Sequence, residues 1–566
     1  MEGMKKFREF IAKKIAPLAS LSEIEAMLEK PKETAHGDFS FPCFALAKAL
    51  KKPPQTIAKE LAAQIKQESP IKKIEVIGAY INFFIEDEKY IEEIFEQMKN
   101  KDFGKPKMKK EKVMIEFCQA NTHKPFHIGH FRNLSLGDSL VRLWKFAGNE
   151  VIAANYPGDV GAHVAKCLWG LKKFHANETP PEKHRGEWLG LIYAEANEKI
   201  ESNPDYKAEV SEILRKLESG DKELTKLWNE TRQWCLDEFN EIYDEINVNF
   251  DVFFFESEVE KPGKILVQEM LKKGIAKESD GAIIVDLEKY KLDVFVILKS
   301  DGTSLYSTKD LALAKQKFEQ FGVERSIHVV GSEQKFYFRQ LFKTLELMGF
   351  KHAKDCYHLS YELVMLPKGK MSSRAGNVVI FRLVYEEVLA KALEEVNKRH
   401  PEWDENKKNL TAKGIALAAM KFSMLNQDNN KTIIFDMDKA LEFEGETGPY
   451  IQYVIARINS IIRKHSGKIP HNPALSVFKD PSEIRLIKLL GDFPEIIEEA
   501  TLSYRPMSLC KYLIDVSQSF NDFYNRCPVL KAEQNEKIAR LYLIEKTKEI
   551  LSEGLSLLGI PVLEEM

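Results

Sequence analysis

The chain has 566 residues, more than a single hydrophobic core can organise, so several domains are expected. With 44% hydrophobic and 30% charged residues its composition is that of an ordinary globular protein, which excludes a disordered or fibrous chain. A net charge of −3 does not favour a nucleic-acid partner unless a basic stripe is concentrated locally.

The seven cysteines are scattered, and no pair has the close spacing of a zinc site or a redox motif. Free thiols in a reducing compartment and no structural metal are therefore expected. No apolar run approaches a membrane span, and Phe7, Ile11, Ile15 and Leu18 recur at helical spacing where a signal peptide would be continuously apolar. The expectation is a cytoplasmic protein without a membrane partner.

In chain order, residues 1–107 read as a small α+β unit. Amphipathic helical patterns surround Phe41 to Ala63, and a β-rich stretch, Ile74 to Ile85, closes it. Tyr80 and Asn82 share a strand face by period two, and a plain strand pair in a small core is the competing reading. Lys101 to Lys112 reads as a lysine-rich linker, either merely solvated or touching phosphates.

Val113 to Phe117 is a short apolar strand, and Ile128 to Ala147 a helix with Leu136, Leu140, Leu143 and Trp144 on one face. Val151 to Ala154 is the next strand. Strand, helix, strand is the unit of a parallel sheet, whose ligands lie beyond the carboxyl ends of its strands. Residues 165–280, helical and charged, read as an insertion. The alternation resumes with strand Asp293–Leu298, helix Thr308–Phe321, strand Ile327–Val330 and helix Gln334–Met348. After about 440 the chain is amphipathic helix. The predicted architecture is α/β: a Rossmann-type catalytic domain over 108–440, an α+β domain over 1–107 and an all-helical domain over 441–566.

His127-Ile-Gly-His130 lies between the first strand and its helix. Two imidazoles three apart in a first helical turn face one side, with the free backbone N–H groups and the positive end of the helix dipole. Gly129 leaves room for a nucleotide against the backbone. Such a group can hold a triphosphate and stabilise departing pyrophosphate. Lys370-Met-Ser-Ser-Arg374 stands between Gly369 and Gly376 and reads as a mobile basic loop able to close on that leaving group. Alone, either motif is a chance match or an exposed polar loop.

In this order the two motifs resemble those of the class I aminoacyl-tRNA synthetases. The resemblance implies ATP, carried with Mg2+, bound by His127, Gly129, His130, Lys370, Met371, Ser372 and Ser373, with His127, His130 and Lys370 catalytic. The family usually has a second lysine at Ser373. Lys124, three residues before His127, is assigned as the compensating catalytic cation, as in arginyl enzymes that lack the loop lysine.

Further stretches resemble arginyl-tRNA synthetase: Glu116-Phe-Cys-Gln-Ala-Asn121, Asn155-Tyr-Pro-Gly-Asp-Val-Gly161, Tyr306-Ser-Thr-Lys-Asp310, Val329-Val-Gly-Ser-Glu-Gln334 and Glu444 to Gln452. Val160 stands where the family commonly has tryptophan. The resemblance implies that Glu116, Tyr306 and Asp310 surround the guanidinium of L-arginine while Asn121 and Gln334 grip its backbone groups. A guanidinium is a planar fork of donors, so carboxylates and a hydroxyl suit it. The bland alternatives are a helix N-terminal charge for Asp310 and a core aromatic for Tyr306. A site that hydrogen-bonds a polar side chain rejects analogues lacking it by roughly 10⁴-fold, so no editing domain is expected.

The same resemblance places tRNA(Arg) against both ends. Tyr80 and Asn82 match residues that meet a D-loop base, and Tyr524 and Met566 match positions near the anticodon, with Glu565 where the family often has arginine. A monomer is expected. The rival readings are a synthetase for glutamate, glutamine or lysine, a nucleotidyltransferase on the same fold, and a non-catalytic tRNA-binding paralogue.

Overall fold

Residues 1–108 form one unit together with segments 457–499 and 512–552, and residues 109–456 form a second with segments 500–511 and 553–566. The computed structural model describes residues 5–15, 20–31, 36–367, 374–375, 378–465 and 467–566.

The first unit begins with α1 (Lys5–Ile15) and α2 (Leu21–Met27), the latter opened by a capping box between Ser20 and Glu23. Strand β1 (Phe39–Pro42) follows, then α3 (Phe44–Leu50), α4 (Pro54–Gln64), β2 (Ile71–Ile77), β3 (Tyr80–Ile85) and α5 (Asp87–Met98). The strands form an antiparallel sheet in the order β1-β3-β2. The helical pattern expected from Phe41 starts only at Phe44. Phe39 and Phe41 alternate into the core beside Ile81 and Phe83, a period too brief to be distinguished from one helical turn.

In the second unit, β4 (Lys112–Glu116), α6 (Ile128–Phe146) and β5 (Glu150–Asn155) make the expected βαβ start. The insertion expected over 165–280 is helical only as far as residue 245, in α7 (Ala162–Phe174), α8 (Arg185–Ser202), α9 (Tyr206–Glu218) and α10 (Lys222–Glu245), after which the chain returns to the parallel sheet. Then come β6 (Val252–Phe253), α11 (Glu256–Lys272), β7 (Lys277–Ser279), β8 (Ala282–Asp286) and β9 (Val294–Leu298). The alternation resumes in α12 (Tyr306–Phe321), β10 (Arg325–Gly331), α13 (Lys335–Leu347) and β11 (Cys356–Tyr361).

Five strands form a parallel sheet in the order β11-β10-β4-β5-β6. Val113, Met114 and Ile115 are fully buried, as befits a strand covered on both faces. From β4 the chain first builds outward through β5 and β6, then returns to build β10 and β11 on the other side. The order therefore reverses between β4 and β10, where ligands of such sheets bind beyond the carboxyl ends. Strand β9, expected in this sheet, instead pairs antiparallel with β8 in a separate β7-β8-β9 sheet. Its alternating exposed and buried residues suit a sheet open on one face rather than the doubly covered parallel one.

The rest of the second unit includes β12 (Val364–Met365), β13 (Arg374–Ala375), β14 (Val378–Val379), α14 (Phe381–Arg399), α15 (Glu405–Leu425), β15 (Ile433–Ile434) and α16 (Met437–Ala440). Five more helices follow: α17 (Gly448–His465), α18 (Pro481–Gly491), α19 (Phe493–Leu502), α20 (Pro506–Arg526) and α21 (Gln534–Leu557). Helix α18 shows how the sequence sets its start: Asp480 and Glu483 form a capping box around Pro481, and Arg540 Nε reaches Glu483 at 2.7 Å.

Candidate active site

His127 caps the N-terminus of α6. Its backbone is extended, and its Nδ1 accepts from the His130 amide at 3.3 Å while His130 Nδ1 accepts from the His127 amide at 3.2 Å. With both Nδ1 atoms acting as acceptors, each neutral ring carries its proton on Nε2. The rings stack at 3.6 Å between centroids, 18° apart. A Cβ on residue 129 would lie 2.9 Å from His127 Nδ1, so glycine is what allows the two rings to close up. Burial, then the charge of Lys124, pushes the His127 pKa down to about 4, and burial, then the neighbouring His127, holds His130 well below its usual value, so both are neutral donors at pH 7.

Lys124 is itself depressed by burial, and its Nζ lies 5.5 Å from the centre of the Tyr193 ring. It borders a cavity of about 660 Å³ lined also by His163, Glu256, Tyr306 and Lys309. Lys124 therefore shares one cavity with the start of α12, and its charge acts on both histidines, which do not themselves line that cavity. Tyr306, the first residue of α12, is 54% exposed, so it is not a core aromatic. Lys309 Nζ donates to Glu256 Oε2 at 2.6 Å, a pair buried on both sides.

Asp310 lies one helical turn beyond Tyr306. Its Oδ2 accepts from the Tyr337 hydroxyl at 2.5 Å, while its Oδ1 is buried and has no hydrogen-bond partner among the described residues. Burial pushes its pKa up to about 7; the Tyr337 bond opposes this, and the charges of Glu116 and Glu256 add to it.

Glu116 ends β4 but is 3% exposed. Its Oε2 lies 2.5 Å from Lys317 Nζ of α12 and its Oε1 3.4 Å from His328 Nδ1 of β10. Burial would raise its pKa, but the Lys317 charge and the His328 contact outweigh this and hold it well below the usual range. The expected guanidinium ligand thus has partners within the chain. Lys317, which reaches it, is one of three lysines on α12 and is not distinguished from the others by local sequence.

Asn121 is half-buried against Gly158: a Cβ there would lie 2.1 Å from Asn121 Oδ1 and 3.0 Å from Glu256 Oε1. Gln334 is exposed in the turn between β10 and α13. Asn133 of α6 fastens the floor, donating to Val329 O at 2.8 Å and to the Tyr361 hydroxyl at 3.0 Å, and accepting from Cys118 N at 2.7 Å. Asp159, fully buried, accepts from Arg232 Nε at 2.8 Å and from Ser257 Oγ at 2.7 Å, tying the Gly158 turn to α10 and α11. Lys370, Met371, Ser372 and Ser373 lie outside the described residues. The chain leading to them is held by buried Arg132, whose guanidinium donates to the carbonyls of Leu363 and Lys431, each at 3.1 Å.

The remaining sites fall elsewhere. Tyr80 is half-buried and meets Phe44 edge-on at 5.4 Å. Asn82 on the same strand face is 3% exposed and accepts from Ser40 Oγ at 2.7 Å, so it is a core group within its sheet. Tyr524 is 37% exposed, stacked on Phe520 and lying 5.8 Å from the Arg457 guanidinium. Terminal Met566 is partly exposed, and neighbouring Glu565 ion-pairs with Lys407. Sequence reasoning missed Glu256, Lys309, Lys317, His328 and Tyr337. Lys309 stood inside a quoted motif, whereas nothing local marks the other four.

The family model for the catalytic domain of class I tRNA synthetases (R) matches residues 91–437. An arginyl tRNA synthetase N terminal domain matches 5–85, and a DALR anticodon binding domain matches 451–566. An arginine–tRNA ligase of Bdellovibrio bacteriovorus is 40% identical over 97% of this chain and 95% of its own length. One of Clostridium botulinum is 36% identical over 99% of this chain and all of its own. The solved arginyl-tRNA synthetase of Thermus thermophilus superposes with a TM-score of 0.83 at 29% identity, covering 99% of this chain and 100% of that one.

Proposed function

Since the chain belongs to the arginine–tRNA ligases of the class I tRNA synthetases, we propose that it joins L-arginine to tRNA(Arg) in two steps. The arginine carboxylate attacks the α-phosphate of ATP, giving arginyl-adenylate and pyrophosphate. The tRNA 3′-terminal hydroxyl then takes the arginyl group, and AMP leaves.

The ATP phosphates lie at the start of α6, over Gly129. The Nε2–H groups of His127 and His130 donate to oxygens that gain charge as pyrophosphate departs, from fixed positions that need no reorganisation. Lys124 supplies the cation that Ser373 does not, and Lys370 with Met371, Ser372 and Ser373 closes over the leaving group. Mg2+ enters with ATP as its counter-ion.

Arginine extends toward α12, with Asn121 and Gln334 on its amino-acid end and Tyr306 and Asp310 on its guanidinium. Glu116, held by Lys317, adds negative potential behind Asp310. Residues 1–107, 108–440 and 441–566 act respectively on the tRNA body, in catalysis and at the anticodon. Tyr80 and Tyr524 are partly open to tRNA, and Met566 lies near the anticodon. Asn82 shapes the strand beneath Tyr80. The enzyme works as a cytoplasmic monomer; among the described residues no helix is long and apolar enough to cross a membrane.

The observation that carries the choice of arginine is Asp310 Oδ1, a buried acceptor without a partner among the described residues, one helical turn beyond Tyr306. ATP–pyrophosphate exchange with each amino acid, with and without tRNA, tests the reading. Arginine-dependent exchange that needs tRNA supports it; exchange driven by glutamate, glutamine or lysine refutes it.

A further inference from the structure

Tyr156 follows Asn155, the last residue of β5, and so stands at the carboxyl edge of the sheet where ligands of this fold lie. Its ring packs in the apolar core with Met114, Ala154 and Leu311, and the residue is 9% exposed. Its hydroxyl, however, is shut from solvent and has no hydrogen-bond partner among the described residues. Asp310 Oδ1 is in the same condition. The two are electrostatic neighbours: after burial, Asp310 is the largest influence raising the Tyr156 pKa, followed by Glu256 and Glu116.

Buried polar atoms are seldom left unpaired, and two such atoms on electrostatic neighbours mark a place that a ligand would complete. The guest must bring at least two N–H donors, must suit the Asp310 carboxylate beside the lysine-paired Glu256 and Glu116, and must be flat enough to enter beside an aromatic ring. A guanidinium meets all three conditions, whereas an ammonium concentrates its charge at one point. We infer that Tyr156 is a specificity-determining residue, its phenol oxygen accepting one guanidinium N–H while Asp310 Oδ1 accepts another. This rests on the arginine reading above. Tyr337 plays a different part, because its hydroxyl orients the carboxylate through Oδ2 and leaves Oδ1 free for the ligand.

The test is Tyr156→Phe in the full-length enzyme, assayed by tRNA-dependent exchange, with tRNA charging followed in parallel. The hydroxyl has no partner among the described residues, so its removal leaves the melting temperature within about 1 °C of the parent. The KM for arginine rises about tenfold, the worth of one hydrogen bond to a charged group, while kcat and the KM for ATP stay within about twofold. Combined with Asp310→Asn, the two losses are less than additive, because both groups hold the same ligand. An unchanged KM for arginine in Tyr156→Phe overturns the inference. So does a KM increase shared equally by ATP and accompanied by a lower melting temperature, which is the mark of a packing role. A parent enzyme that shows no exchange with arginine refutes the proposed function instead, so the two failures are distinguishable.

Discussion

Lys317 and Glu116 form an ion pair at 2.5 Å in the interior, 1% and 4% exposed at their side chains. The pair joins α12, the helix that carries Tyr306 and Asp310, to the end of β4. Glu116→Gln leaves the Lys317 ammonium buried opposite a neutral group and should cost about 3–5 kcal/mol of stability. Because the Glu116 carboxyl is held below its usual range, its contribution is present above the unfolded pKa, near 4.3, and is lost as pH falls. Denaturant titrations at pH 7 and pH 3 check this: the difference between parent and variant should be large at pH 7 and shrink toward pH 3.

Asp310 yields a pH dependence of the opposite kind. Burial raises it to about 7, so below that pH the free enzyme holds a proton that a bound guanidinium must expel. The KM for arginine should rise toward about tenfold per pH unit below 7 and level off above 8. In Asp310→Asn the KM should be high and flat across the range. A parent KM that does not vary between pH 6 and 8 contradicts the assignment of Asp310 to the ligand.

The histidine pair should behave differently. Both rings are already neutral near pH 7, with His127 at about 4, so kcat should show no inflection near 6.5 arising from them. His130→Ala should lose about 10²- to 10³-fold in kcat, as when one fixed donor to a developing oxyanion is removed. Lys124→Ala should fall by about 10²-fold in adenylate formation, with Lys124→Arg recovering part of it. Near-normal adenylate formation by Lys124→Ala would refute its role as the substitute cation.

Gly158→Ala tests the amino-acid end of the site. Its Cβ would meet Asn121 Oδ1 at 2.1 Å, so Asn121 must move. The KM for arginine should increase about 10- to 100-fold, since displacements near 1 Å have such effects. Steady-state exchange with ATP saturating measures it, and the KM for ATP should stay near that of the parent.

Much of this was legible in the sequence because it is carried by short-range patterns. The β4–α6–β5 start and the placement of His127 and His130 at the start of α6 follow from periodicity and local spacing. So does the pairing of Tyr306 with Asp310 one turn apart. What escaped depends on long-range contacts. Glu116 and Lys317 are two hundred residues apart in the chain, and no pattern announces that they meet. Asn82 looked like a surface partner of Tyr80, yet the pairing of β1 with β3 sets it beside Ser40. Strand β9 was visible as a strand, but the sheet it joins is decided by β8, its antiparallel neighbour.

The most direct measurement is tRNA charging by the purified enzyme, comparing arginine with lysine and citrulline. Lysine keeps the positive charge without the fork, and citrulline keeps the planar shape without the charge. Arginyl-tRNA should form with kcat/KM at least about 10⁴-fold above either analogue, because each leaves buried acceptors unpaired. Charging with lysine or citrulline within about tenfold of arginine would contradict a guanidinium-selective site.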